Sequence, residues 1–81
     1  MKLKVLLFAA ARELSGQSEV EILVDQPATV ASTKQALAVA LPDLAGLVDQ
    51  SALAVDNRYV DDQFQLTPEF EIALIPPVSG G

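Results

Sequence analysis

At 81 residues the chain has the size of one compact domain with a single modest core. Apolar residues make up 51% of it and the formal net charge is -6, a balance that repels a phosphate backbone and leaves no run of about 18 apolar residues to span a membrane. Cysteine and histidine are both absent, which excludes thiolate nucleophiles, disulfides, the common zinc ligand sets and imidazole acid-base catalysis.

The first element is a strand over Lys2 to Phe8, where Leu3, Val5 and Leu7 alternate with Lys4, Leu6 and Phe8. It lacks the separate apolar block and small-residue cleavage site of a signal peptide, so a cytoplasmic protein is expected, with neither nucleic acid nor membrane as a partner. The polar stretch from Arg12 to Ser18, holding Gly16, reads as the long, irregular loop of a hairpin. Its second strand is Glu19 to Val24, with Val20, Ile22 and Val24 on one face. Thr29 then sits where an N-cap belongs, ahead of Val30, Thr33, Leu37, Ala40 and Leu41 at helical spacing, and Pro42 stops that helix.

Leu44, Leu47 and Val48 suggest a further short helical turn before a third strand at Leu53-Ala54-Val55. Val55 to Val60 reads as two short strand pieces around an Asn-containing turn. Phe64 to Pro68 reads as loop, and Phe70 to Ile75 as the last long strand, ended by Pro76-Pro77 because neither proline donates to a ladder. Asp61-Asp62 is the only adjacent acidic pair, and it reads as a solvated turn rather than a metal site or an acid-base dyad. Strand, strand, helix, short strands and a long final strand make an α+β chain of the β-grasp class. In that class a mixed sheet wraps around one main helix, with the first and last strands side by side in its centre. The expected division is a β-grasp domain over 1–77 and a flexible tail over 78–81.

Two features bear on function. The first is Pro76-Pro77-Val78-Ser79-Gly80-Gly81. A stiff diproline sets the exit direction, and four extended residues from Val78 reach roughly 13 to 14 Å. Gly80 and Gly81 carry no side chain, so they pass a narrow channel and leave the last acyl carbon open to attack. A carboxylate resists nucleophiles until it is activated, as in an adenylate, so a partner must consume ATP, and no permanently bound cofactor is expected. The activated carbonyl then takes sulfur to give a thiocarboxylate, or acylates a lysine; the residues alone leave both open, together with a plain disordered end. The second feature is the sheet face turned away from the helix, where Leu6, Phe8, Ala73 and Ile75, extended by Tyr59, form an exposed apolar patch suited to protein contact.

The strand Lys4-Val5-Leu6-Leu7-Phe8, the stretch Ala9-Ala10-Ala11-Arg12-Glu13-Leu14-Ser15-Gly16 and the ending Ile75-Pro76-Pro77-Val78-Ser79-Gly80-Gly81 together resemble the small subunit of molybdopterin synthase. The resemblance implies that Gly81 is adenylated by a ubiquitin-activating-like adenylyltransferase and converted to a thiocarboxylate. It implies next that the tail enters the large subunit of molybdopterin synthase, in a heterotetramer, and gives its sulfur to cyclic pyranopterin monophosphate to form the dithiolene. Phe8, Tyr59 and Ile75 fall on the family's apolar contact surface, Arg12 at its usual arginine, and Pro76, Pro77, Val78, Ser79 and Gly80 on the tail. One departure is Thr67-Pro68-Glu69-Phe70-Glu71, where the family usually has a glycine-containing turn. The competing expectations are a sulfur carrier for thiamine synthesis or transfer-RNA thiolation, and a non-catalytic interaction module.

Overall fold

The computed structural model describes residues 1–77; the expected tail segment, 78–81, lies outside the described residues. Strand β1 (Lys2–Leu7) alternates exposed and buried side chains, as its sequence pattern requires. Helix α1 (Ala9–Ser15) follows at once and corrects the expected irregular loop. Ala9, Ala10, Ala11, Arg12, Glu13 and Leu14 are mostly strong helix formers, and Gly16, at φ 71°, closes the helix by donating its N–H to the Arg12 carbonyl at 2.9 Å. Strand β2 (Glu19–Leu23) then returns antiparallel to β1.

Ala28–Thr29 forms β3, a two-residue strand running into helix α2 (Val30–Ala40). Thr29 caps that helix as expected and does so within a reciprocal box. Its Oγ1 accepts from the Ser32 N–H at 3.1 Å, and the Ser32 Oγ accepts from the Thr29 N–H at 2.9 Å. A 3-10 turn at Pro42–Leu44 and helix α3 (Ala45–Gln50) supply the short helical segment expected after Pro42. The hairpin β4 (Ala52–Val55) and β5 (Arg58–Tyr59) turns through Asp56 and Asn57 at φ 50° and 68°. Those angles match a two-residue turn with both central residues left-handed, a conformation asparagine and aspartate tolerate well.

The segment expected to be loop contains β6 (Gln65–Leu66), paired with β3 in a small separate sheet. The final strand β7 (Ile72–Ile75) starts later than its alternation suggests. Glu71 is held instead by Asp56, whose N–H donates to the Glu71 carbonyl and whose carboxylate accepts the Glu71 N–H, each at 2.9 Å. The glycine-free turn before it closes with Phe70 N–H on the Thr67 carbonyl at 3.2 Å. No residue from Thr67 to Glu71 has a positive φ, so Pro68 suits the turn and glycine is not needed.

The main sheet runs β2-β1-β7-β4-β5, with β1 and β7 parallel in its middle, the β-grasp arrangement. Leu3, Val5, Leu7, Ile22, Leu53, Val55, Ile72 and Leu74 are buried on one side of it, together with Val30 and Leu37 of α2, Leu44 and Val48. Each such side chain contributes about 1.5 to 3 kcal/mol over an exposed one. The helices thus cover one face, and the other is left bare.

Candidate functional site

The bare face is laid out by the strand register. Leu6 lies opposite Ala73, Ala73 opposite Ala54, and Ala54 opposite Tyr59, so one row crosses four strands. In the next row Ile75 lies opposite Ala52. Continued by one residue, the β1–β7 register brings Phe8 level with Ile75. Phe8 is 43% exposed and Tyr59 71%, while Leu6, Ala73 and Ile75 are half-buried. Toward β2 the same face turns ionic, with Glu19 opposite Leu6, Glu21 opposite Lys4, and Lys4 Nζ 3.7 Å from Glu19 Oε2. That exposed ion pair adds little stability, and it sets a polar border to the apolar zone.

Among the described residues no cluster of acidic side chains is arranged to hold a metal. Asp61 and Asp62 are both exposed and serve a turn: Asp61 Oδ1 accepts from the Gln63 N–H at 2.9 Å, and the Asp62 carbonyl accepts from the Ala31 N–H at 3.1 Å. An apolar face at the sheet centre, with a chain exit at its rim, is what the described residues offer a partner.

The ThiS family profile matches residues 5–81, nearly the whole chain. This chain belongs to the ThiS family. It is 37% identical over 81 residues to the molybdopterin synthase sulfur carrier subunit of Escherichia coli K12, covering 98% of this chain and 99% of that protein. The corresponding Arabidopsis thaliana protein is 33% identical over 81 residues, covering 100% of this chain and 84% of its own length. In structure the chain is similar to SAMP1, a small archaeal modifier protein of Haloferax volcanii, with a TM-score of 0.83, 29% identity and 100% of both chains covered.

In this ThiS-family chain the expected contact residues are not all placed alike. Phe8 and Ile75 share the bare face, as expected from alternation, and Tyr59 extends it through its pairing with Ala54. Arg12 sits on α1, exposed and without an ion-pair partner among the described residues; it is one helical turn from Phe8, whose carbonyl accepts the Arg12 N–H at 3.4 Å. Pro77 is exposed, but Pro76 is buried, continuing the inward side of Leu74. Pro76 therefore anchors the exit from the domain side instead of offering its ring to a partner. Val78, Ser79, Gly80 and Gly81 lie outside the described residues.

Two residues of the site were not singled out by their sequence. Ala54 belongs to the bare face because Leu53 and Val55 point inward, a signal already present in the alternation. Ala9, at φ 48°, turns the chain from β1 into α1 immediately after Phe8. An alanine in the left-handed region is strained, and nothing in its sequence marks it.

Proposed function

We propose that this chain is the sulfur carrier subunit of molybdopterin synthase. The observation that carries this reading is the end-to-end similarity to the E. coli carrier subunit, which leaves almost no part of either chain unmatched. The fold supports it. The strand before the tail, β7, lies at the sheet centre beside the apolar face, so a subunit gripping that face receives the segment after Pro77 at a fixed place.

In this reading a partner adenylyltransferase joins the Gly81 carboxylate to the α-phosphate of ATP and releases pyrophosphate. A sulfur donor then displaces AMP from the carbonyl carbon, leaving a thiocarboxylate. The tail enters the large synthase subunit, and the sulfur passes to cyclic pyranopterin monophosphate to build the dithiolene. The carrier is not an enzyme on its own; its side chains dock and aim, while the chemistry is done by its partners. It works in the cytoplasm, in a heterotetramer of two carriers and two large subunits. Phe8, Tyr59 and Ile75 make the apolar contact, Arg12 pairs with a carboxylate of the large subunit, and Val78, Ser79 and Gly80 span its channel.

A second reading, transfer of the activated Gly81 acyl group to a lysine amine, is favoured by the likeness to the archaeal modifier protein. One experiment separates the two. Intact mass is measured after incubation with ATP, a sulfur source, the candidate adenylyltransferase and the large subunit. Replacement of one oxygen by sulfur, followed by sulfur delivery to the pterin precursor, is the expected result. A conjugate to lysine with no thiocarboxylate would overturn the sulfur-carrier reading.

A further inference from the structure

The main sheet has two edges, and they differ. β5 has two residues, whereas β2 has five and no strand follows it in the sheet order. The Leu7 N–H donates to the Ser18 carbonyl at 2.8 Å, the Val24 N–H to the Met1 carbonyl at 2.9 Å, and the Met1 ammonium to the Val24 carbonyl at 2.8 Å. Ser18 and Val24 therefore turn their backbone groups toward β1, and by antiparallel alternation Val20 and Ile22 do the same. Glu19, Glu21 and Leu23 turn theirs outward, to the open edge. Such a row of N–H and C=O groups is a template for one more strand.

Beside that edge runs a groove of about 860 Å3, between residues 21–24 and the side of α2 that carries Ala36, Val39 and Ala40. Its apolar rims are open to solvent, with Leu23 72% exposed and Val39 81%. The groove lies at the start of β1, where Leu23 is opposite Lys2, whereas β7 delivers the tail beyond the far end of β1, past Leu7. The length of β1, roughly 17 Å, separates the two.

Alternation dictates what an added strand carries. Its residues opposite Glu19 and Glu21 project on the same side of the sheet as those carboxylates, and the residues between them project toward α2 and the groove. Lys4 offsets Glu19 from 3.7 Å, Glu21 has no ion-pair partner among the described residues, and Asp25 adds another exposed acid at the groove. One side of the strand is thus matched by basic residues and the other by apolar ones. A second copy of this chain does not meet that description. Two β2 strands paired about Glu21 set two carboxylates face to face, between chains that each carry a net charge of -6.

We infer that the β2 edge and the groove along α2 form a second docking surface, for an extended segment of a partner protein in which basic and apolar residues alternate. The segment joins the five-stranded sheet beside β2. Its backbone bonds to Glu19, Glu21 and Leu23, Glu21 reads its basic side chains, and Ala36 and Val39 receive its apolar ones. This surface goes beyond the proposed function and stands without it, because neither the tail nor the bare-face row around Ala73 takes part.

The test uses the full chain, isotope-labelled, and a capped six-residue peptide of alternating valine and lysine, titrated by NMR at about 0.15 M salt. Shifts are expected along β2 and at Ala36 and Val39, with those of Phe8, Tyr59 and Ile75 unchanged. A peptide N-methylated at the ladder positions, and one with glutamate in place of lysine, are each expected to bind at least about 10-fold more weakly. Glu21→Lys, an exposed substitution, is expected to reverse the preference between the lysine and glutamate peptides. Equal binding of the N-methylated peptide, with shifts scattered over all the acidic residues, would overturn strand addition in favour of general charge attraction. Absence of shifts along β2, or shifts centred on Phe8 and Ile75, would overturn the second surface itself.

Discussion

Thr33 is fully buried in α2, and its Oγ1 has no hydrogen-bond partner among the described residues. The obvious acceptor one turn back, the Thr29 carbonyl, is taken by the Ser32 Oγ at 3.1 Å. Thr33→Val removes the unpaired hydroxyl while keeping the shape, and is expected to stabilise the fold by about 1 kcal/mol in chemical denaturation. Ala9 is the second residue under strain. Ala9→Gly relieves its left-handed backbone at the cost of extra freedom in the unfolded chain, for a net gain of about 0.5 to 1 kcal/mol. Phe8→Asp belongs to the docking face, not the core, so it is expected to weaken large-subunit binding while leaving the melting temperature within a few degrees of wild type. Early unfolding instead would show that Phe8 holds the domain together.

At the scale of elements, the caps carry measurable stability. Thr29→Ala breaks the reciprocal box at the start of α2 and is expected to cost about 1 kcal/mol. Gly16→Ala meets no neighbouring atom, so its expected cost, also about 1 kcal/mol, comes from the positive φ alone. Both are read by equilibrium denaturation. These elements were unequally legible in the sequence. β1 and the turn at Asp56-Asn57 followed from alternation and turn chemistry, and α2 from apolar spacing and its threonine cap. Helix α1 was hidden because only Ala11 of its seven residues is buried, so it has no apolar stripe, and its one signal is the helix propensity of its alanines. β3 and β6 have two residues each, too few for alternation to register. The start of β7 was misplaced because Phe70 continues the alternating pattern, whereas in the fold its ring packs on Phe64 with centroids 5.7 Å apart.

For the whole molecule, the division between a helix-covered face and a bare face was readable from Leu3, Val5 and Leu7 set against Leu6 and Phe8. The row formed by Leu6, Ala73, Ala54 and Tyr59 was not, because it depends on which residues of neighbouring strands come level. Deleting Gly81 tests the molecule as a carrier. The truncated chain is expected to melt like the full one and to bind the large subunit through the sheet face, yet to acquire no sulfur by intact mass. Continued synthesis of molybdopterin by that variant would sink the carrier reading.

The parallel pairing of β1 and β7 also has a mechanical meaning. A load applied at Pro77 and opposed at Met1 pulls these two strands past each other lengthwise, so their hydrogen bonds share the force instead of opening one by one. β7 is gripped on its other side by four further pairs with β4. Under such a load the centre of the sheet, and not a single terminal pair, bears the force.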